Sequence, residues 1–196
     1  MAAESQSTMT LMEKHLNSDH ADRPGENADG LGESVEPGPN DADPYERART
    51  ICLTQLSFAP RSRAHLEGVL HKRNIPEQIA AAVLDRLTEV GLVNDAEYAQ
   101  MWVRSRHRTK GLSRRVLREE LRRAGICDDL VTEALTQVDD DSERAAACAL
   151  VLKKYRASAD RDSQVRRLVA MLARKGYPAN TCFDVVKEVL ADQSSM

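Results

Sequence analysis

The sequence predicts an all-α protein: three tandem three-helix repeats (helix-turn-helix-like units) in an elongated, curved array, preceded by a disordered acidic N-terminal tail. Three observations predict it. Apolar residues recur at helical spacing, and the pattern returns every 51 residues: Leu66, Leu70 and Ile75, then Leu117, Leu121 and Ile126, then Leu168, Leu172 and Tyr177. Asn74, Gly125 and Gly176 recur at the same period, where a residue tolerant of the left-handed conformation ends a helix. No stretch shows the alternation of a half-buried strand.

In chain order, residues 1–43 form the tail. Residues 1–44 hold ten Asp/Glu against two Lys/Arg, a net charge of −8, with four of the seven prolines and four of the nine glycines. With no aromatic residue and few large aliphatics, the segment buries too little apolar surface to offset its ordering entropy. Met9, Leu11, Met12 and Leu16 offer an amphipathic turn or two, too short to be stable alone. Such a tail is a docking segment, an acidic competitor for the chain's own basic surface, or simply a solvated extension.

Repeat 1 (44–93) is expected to have helices near 44–57, 61–73 and 76–90. Pro44 after Asp43 marks its start, and Ser62 is a candidate N-cap. Repeat 2 (94–141) has helices near 95–109, 113–124 and 127–138, with Asn94 and Glu97 spaced as a capping box and Ser113 as the next cap. Repeat 3 (142–191) has helices near 142–156, 162–175 and 178–190, with Ser163 one place out of register. Pro76, Cys127 and Pro178 fall where a first helical turn suits proline. The third helices align through Val83, Ala134 and Val185, through Leu84, Leu135 and Val186, and through Leu87, Val138 and Val189. The first helices agree less well. Ile51 and Cys52 match Trp102 and Val103, but the third copy has Lys153 and Lys154 there, so its apolar face is shifted. Each unit is too small to stand alone, so neighbours must stack.

Composition excludes several classes. No run of eighteen or more apolar residues is present, so no membrane span is expected. The first twenty residues lack the basic and apolar regions of a secretory signal, which predicts a cytoplasmic protein. Cys52, Cys127, Cys148 and Cys182 are far apart and form no C-x-x-C, so neither zinc nor a disulfide framework is expected; buried thiols on helix faces are. His15, His20, His65, His71 and His107 have no metal-ligand spacing. No nucleotide, hydrolase or protease motif is present, so no catalytic residue, cofactor or metal is assigned. The run Asp139 to Glu143 lacks the spaced oxygens of a calcium loop and suits the N-terminus of the seventh helix.

The feature that departs from a plain helical protein is basic. Between Trp102 and Arg123 lie Arg104, Arg106, Arg108, Lys110, Arg114, Arg115, Arg118, Arg122 and Arg123, opposed only by Glu119 and Glu120, a net of +7. Arg115 and Arg123 can pair with Glu119, whereas Arg114, Arg118 and Arg122 recur along a flank with no partner at helical spacing. Arginine suits bidentate contact with phosphate or carboxylate. A second cluster holds Arg166, Arg167, Arg174 and Lys175, with Lys153 and Lys154 nearby. These residues are the candidate partner-binding surface, toward phosphate backbone or an acidic protein groove. Trp102 is expected in the core, and stacking platforms for bases are nearly absent.

The segment Leu87–Ala99, reading L-T-E-V-G-L-V-N-D-A-E-Y-A, continues through Trp102-Val-Arg-Ser-Arg106, Lys110-Gly111 and Leu117 to Ile126. It resembles the RecX family, regulators of the RecA recombinase, whose pattern Gly91, Asn94, Asp95, Tyr98, Ala99, Gly111, Leu121, Gly125 and Ile126 match. Ser62-Arg63 with Leu66 resembles the family's first-unit element, although His65 stands where Glu is frequent. Arg174-Lys175-Gly176-Tyr177 resembles its R-G-(F/Y) element with a Lys inserted. The resemblance spans about 45–191 and leaves the tail unmatched. It implies a non-enzymatic negative regulator that binds RecA, mainly as its filament on single-stranded DNA; a monomer is expected, although the sequence does not fix the oligomeric state. It further implies restraint of ATP hydrolysis, strand exchange and co-protease activity, and hence of recombination, DNA repair and the SOS response. On this reading the 104–123 arginines carry the contact, and replacing Arg114, Arg118 and Arg122 together should weaken it while leaving helicity intact. The competing reading is a helix-turn-helix regulator acting directly on duplex DNA. A helical adaptor without a nucleic-acid role is a third.

Overall fold

The computed structural model describes residues 43–156 and 160–194, so the tail expected at 1–43 lies outside the described residues except for Asp43. Those residues contain nine helices and no strand: α1 (Pro44–Phe58), α2 (Arg63–Lys72), α3 (Glu77–Glu89), α4 (Asp95–Lys110), α5 (Arg114–Arg123), α6 (Asp128–Leu135), α7 (Asp140–Lys154), α8 (Arg161–Arg174) and α9 (Ala179–Ser194). Two compact units divide at Asn94 and Asp95. The first holds α1–α3 around one core, and the second holds α4–α9 around two.

The 51-residue period has a local cause. After α2, α5 and α8 the chain turns through Asn74, Gly125 and Gly176, at φ 56°, 77° and 91°. The N–H of the next residue then reaches back to a leucine carbonyl: Ile75 to Leu70 at 3.1 Å, Ile126 to Leu121 at 3.1 Å and Tyr177 to Leu172 at 3.2 Å. This is the Schellman arrangement, which satisfies helix-end carbonyls and folds an apolar residue back onto the last turn. The same residues make the cores. Leu66, Leu70, Leu117, Leu121, Leu168 and Leu172 are buried, and each contributes roughly 1.5–3 kcal/mol. The third helix of each repeat packs against the other two.

Caps set the entries. Ser62 accepts from the His65 N–H at 3.2 Å and Ser113 from the Val116 N–H at 3.5 Å, as the sequence predicts. Ser163 is not a cap. Asp160 caps α8 by accepting from the Ser163 N–H at 2.9 Å, because α8 begins at Arg161, ahead of the place that the 51-residue period gives it. Asp139 caps α7 through the Ser142 N–H at 2.8 Å, with Asp140, Asp141 and Glu143 in the first turn, the acidic helix start expected of that run. Pro76 and Cys127 sit at the N-cap position itself, one residue before the first turn expected for them.

The shifted face of the seventh helix is explained by phase. The buried pair Ala48 and Cys52 is repeated by Ala99 and Val103 after 51 residues, but by Ala147 and Val151 only 48 later. Three residues are close to one helical turn, so the face is preserved and the following connection absorbs the difference. Lys153 and Lys154 are accordingly exposed. Two thiols depart from expectation: Cys127 is exposed at the start of α6 and Cys148 is half-buried, whereas Cys52 and Cys182 are buried. No helix among the described residues is long and apolar enough to cross a membrane.

Candidate binding surface on the second unit

The basic residues of α4 and α5 divide into buried, internally paired and open groups. Arg106 belongs to the first. It is 6% exposed, its guanidinium lies 4.2 Å from the centre of the Trp102 ring, and its Nε stands 3.8 Å from Glu120. Trp102 Nε1 donates to the same carboxylate at 2.8 Å. Trp102 is half-buried at the margin of the core, stacked on Tyr98, rather than central to it. Arg106 is thus packed inside the fold, contrary to its expected place on the partner-binding face; an arginine at helical spacing from a tryptophan finds a cation–π seat.

Arg114 and Arg122 have partners that helical spacing does not show. The Arg114 backbone N–H donates to one oxygen of Glu143 at 2.8 Å, its Nε donates to the other at 3.1 Å, and Nη2 pairs with Asp140. Burial disfavours the Arg114 charge, but Glu143 and Asp140 outweigh it and raise its pKa. Arg122 Nε donates to Asp128 at 2.7 Å across the α5–α6 turn, and this bond holds the Asp128 carboxyl below the usual carboxylate range. Both arginines are therefore paired, through partners outside the helical spacing at which none is expected. The triple replacement proposed from sequence would also loosen the junction between repeats 2 and 3.

Arg115 pairs with Glu119 at 3.1 Å as predicted, and its Nε donates to the Gly176 carbonyl at 3.3 Å. Arg104, Arg118, Arg123 and Arg174 are exposed and make no hydrogen bond or ion pair among the described residues, so the predicted Arg123–Glu119 pair does not form. Arg108 is exposed at the end of α4 and Lys110 is half-buried; both have interactions within the chain. In the second cluster, Arg167 Nη2 donates to the Lys154 carbonyl at 2.8 Å and Arg166 to Ser163 Oγ at 3.3 Å. Lys175 departs from an open basic surface. It is half-buried, and its Nζ donates to the Lys110 carbonyl at 2.6 Å; burial, then Lys110 and Lys154, lower its pKa.

These bonds position a groove. The Ser113 N–H donates to the Lys175 carbonyl at 3.1 Å, and the Tyr177 hydroxyl to the Gly111 carbonyl at 3.1 Å. The turn after α8 is thereby fixed against the start of α5. Between them and α6 lies a groove of about 560 Å³ lined by Arg114, Arg115, Arg118, Thr132, Leu135, Thr136, Glu143, Gly176 and Pro178. An adjoining hollow past Arg114 is lined by Asp140, Asp141, Arg144 and Thr181 among others. Sequence reasoning named the three arginines. It missed Thr132, Thr136 and Glu143, which reach the groove through the packing of α6 and α7, and Pro178, which enters it from the turn before α9.

Three-helix repeats with a basic face on α5 and a built junction define a tandem helical repeat protein. Residues 48–87 match the first three-helix domain of RecX, and residues 94–135 match its second. The chain is 46% identical over 161 residues to the regulatory protein RecX of Streptomyces lividans, covering 81% of this chain and 86% of that protein. It is 45% identical over 150 residues to that of Thermobifida fusca, covering 76% and 81%. The chain belongs to the RecX family of regulatory proteins. Its fold is shared by a crystal structure of RecX from Lactobacillus salivarius, with a TM-score of 0.65, 23% identity and coverage of 76% of this chain and 97% of that one. A second RecX crystal structure gives a TM-score of 0.63 at 26% identity, over 75% and 73%.

Proposed function

We propose that this protein is a negative regulator of RecA that works by binding, not by catalysis. It engages RecA and the RecA filament on single-stranded DNA in the cytoplasm as a monomer, and restrains ATP hydrolysis, strand exchange and co-protease activity. The observation that carries this reading is family membership over four fifths of the chain. The basic face supports it: Arg104, Arg118, Arg123 and Arg174 are exposed and unpaired among the described residues, and such charges attract carboxylates or phosphates. Arg108, Arg115 and Arg166 add to that field from its edges, while Arg114, Arg122 and Lys175 hold the surface in shape.

The test is RecA ATP hydrolysis on single-stranded DNA, titrated with the full chain and with a chain lacking residues 1–43. Dose-dependent inhibition by both is expected. No inhibition of normally formed filaments by either protein refutes the reading. Tight, sequence-selective and steeply salt-dependent binding to duplex DNA without RecA would favour direct DNA regulation instead.

A further inference from the structure

We propose that the groove between α5, α6 and the α8–α9 turn is the seat of an acidic peptide segment of the protein partner, with Arg115 and Arg118 receiving a carboxylate and Leu135 and Pro178 flanking an apolar neighbour. The inference rests on the RecA reading above and says what that partner presents to this groove.

The lining selects the ligand. Arg118 is exposed, makes no hydrogen bond or ion pair among the described residues although its charge is felt by Asp128, and lines the groove with Arg115. Thr132 and Thr136 also line the groove and are exposed; the Thr136 hydroxyl already donates to the Glu133 carbonyl at 2.7 Å, which leaves it an acceptor for a peptide N–H. Pro178 and the small exposed part of Leu135 add apolar lining beside Arg114, Glu143 and Gly176. A nucleic acid strand fits this poorly. Its phosphates follow one another every few ångströms, and past the arginines they meet Glu143, then Asp140 and Asp141 in the adjoining hollow. An extended peptide advances about 3.3 Å per residue with alternate side chains on one face, so one carboxylate can reach the arginines while its neighbours are apolar or neutral. Charge and apolar lining together favour peptide over phosphodiester. Glu143 reinforces the choice by neutralising Arg114, which also lines the groove, so the charge left to receive a carboxylate falls to Arg118 with Arg115 beside it.

The test places benzoylphenylalanine at Thr132, an exposed position, in the full chain bound to RecA filaments on single-stranded DNA. After irradiation, mass spectrometry should find a cross-link to a RecA peptide containing Asp or Glu beside an apolar residue, and Arg118→Ala should weaken filament binding about tenfold more than it weakens binding to an oligonucleotide. A cross-link to DNA, or equal losses for filament and oligonucleotide, makes this a phosphate site and overturns the proposal. Filament binding without any cross-link overturns it too, while leaving the RecA reading intact. A chain that binds no filament refutes the RecA reading itself, and the inference with it. Circular dichroism of both variants separates these outcomes from misfolding.

Discussion

Arg114 and Glu143, 29 residues apart, are joined twice: one carboxylate oxygen accepts the Arg114 backbone N–H at 2.8 Å and the other accepts its Nε at 3.1 Å. A single carboxylate thus satisfies a helix-start amide of α5 and neutralises a side chain of the same residue. Glu143 is mostly shielded from solvent, whereas Asp140, the second partner of Arg114, is open. Glu143→Ala should destabilise the second unit by about 1–3 kcal/mol, and Asp140→Ala by no more than about 1 kcal/mol. Urea unfolding followed by circular dichroism measures both. Equal effects would show that the pair is a surface contact and not a staple.

Glycine at 176 is required by space as well as by backbone angle. Its φ is +91°, and a Cβ there would lie 2.4 Å from Ser113 Oγ and 2.4 Å from Val116 Cγ2. Gly91, at φ +74°, has open space around it. Gly91→Ala should cost roughly 1–2 kcal/mol from the left-handed backbone alone. Gly176→Ala should cost roughly 1–3 kcal/mol beyond that from overpacking, because both obstructing atoms sit on the held start of α5. Thermal melts of the two variants give the comparison, and matching Tm losses would dismiss the steric part.

The sole tryptophan offers an optical probe of the buried cation. Glu120 accepts from Trp102 Nε1 and is the nearest carboxylate to Arg106. Glu120→Ala leaves a guanidinium enclosed without its counter-charge, which costs about 3–5 kcal/mol in a fully buried pair and less here, since Glu120 is partly exposed. The expected signs are lower stability together with a red-shifted Trp102 emission. Glu119→Ala, which removes only the exposed Arg115 pair, should alter neither by much.

Acid should act through the caps. Asp139 and Asp160 are held below the usual carboxylate range, first by the N–H groups of Ser142 and Ser163, and Asp128 by Arg122. A carboxyl whose folded pKa is depressed gives stability that is present above its unfolded pKa and lost as pH falls through the folded one. Helicity should therefore hold near neutrality and decline below about pH 4. Asp139→Asn keeps a capping oxygen but cannot titrate, so it should flatten this decline. An unchanged acid profile in the double Asn variant at 139 and 160 would contradict the assignment.

Much of the fold was legible because it depends on local, periodic requirements. The left-handed residues at 74, 125 and 176, the leucines before them and the caps Ser62 and Ser113 each repeat at a fixed spacing. The candidate site was legible only as charge. Which arginines remain open depends on Glu143, Asp140 and Asp128, whose positions follow from how α6 and α7 return to α5 and have no period. Arg106 was misplaced for another reason: it lies on the face that α4 buries, one turn after Trp102 and Val103, and Glu120 on α5 stands against it. Ser163 was misread because the connection before α8 breaks the period that made the other two caps visible.

The hydroxyl of Tyr177 has a consequence for how the chain was assembled. Ile75 and Ile126 fill the same place in the first two copies, and neither has an atom able to reach a carbonyl as Tyr177 reaches Gly111. The copies are therefore not interchangeable beads. Transplanting the first into the third position would keep every leucine and still leave one enclosed carbonyl unanswered. The Tyr177 hydroxyl thus ties the third copy to the second by a bond the other copies cannot supply.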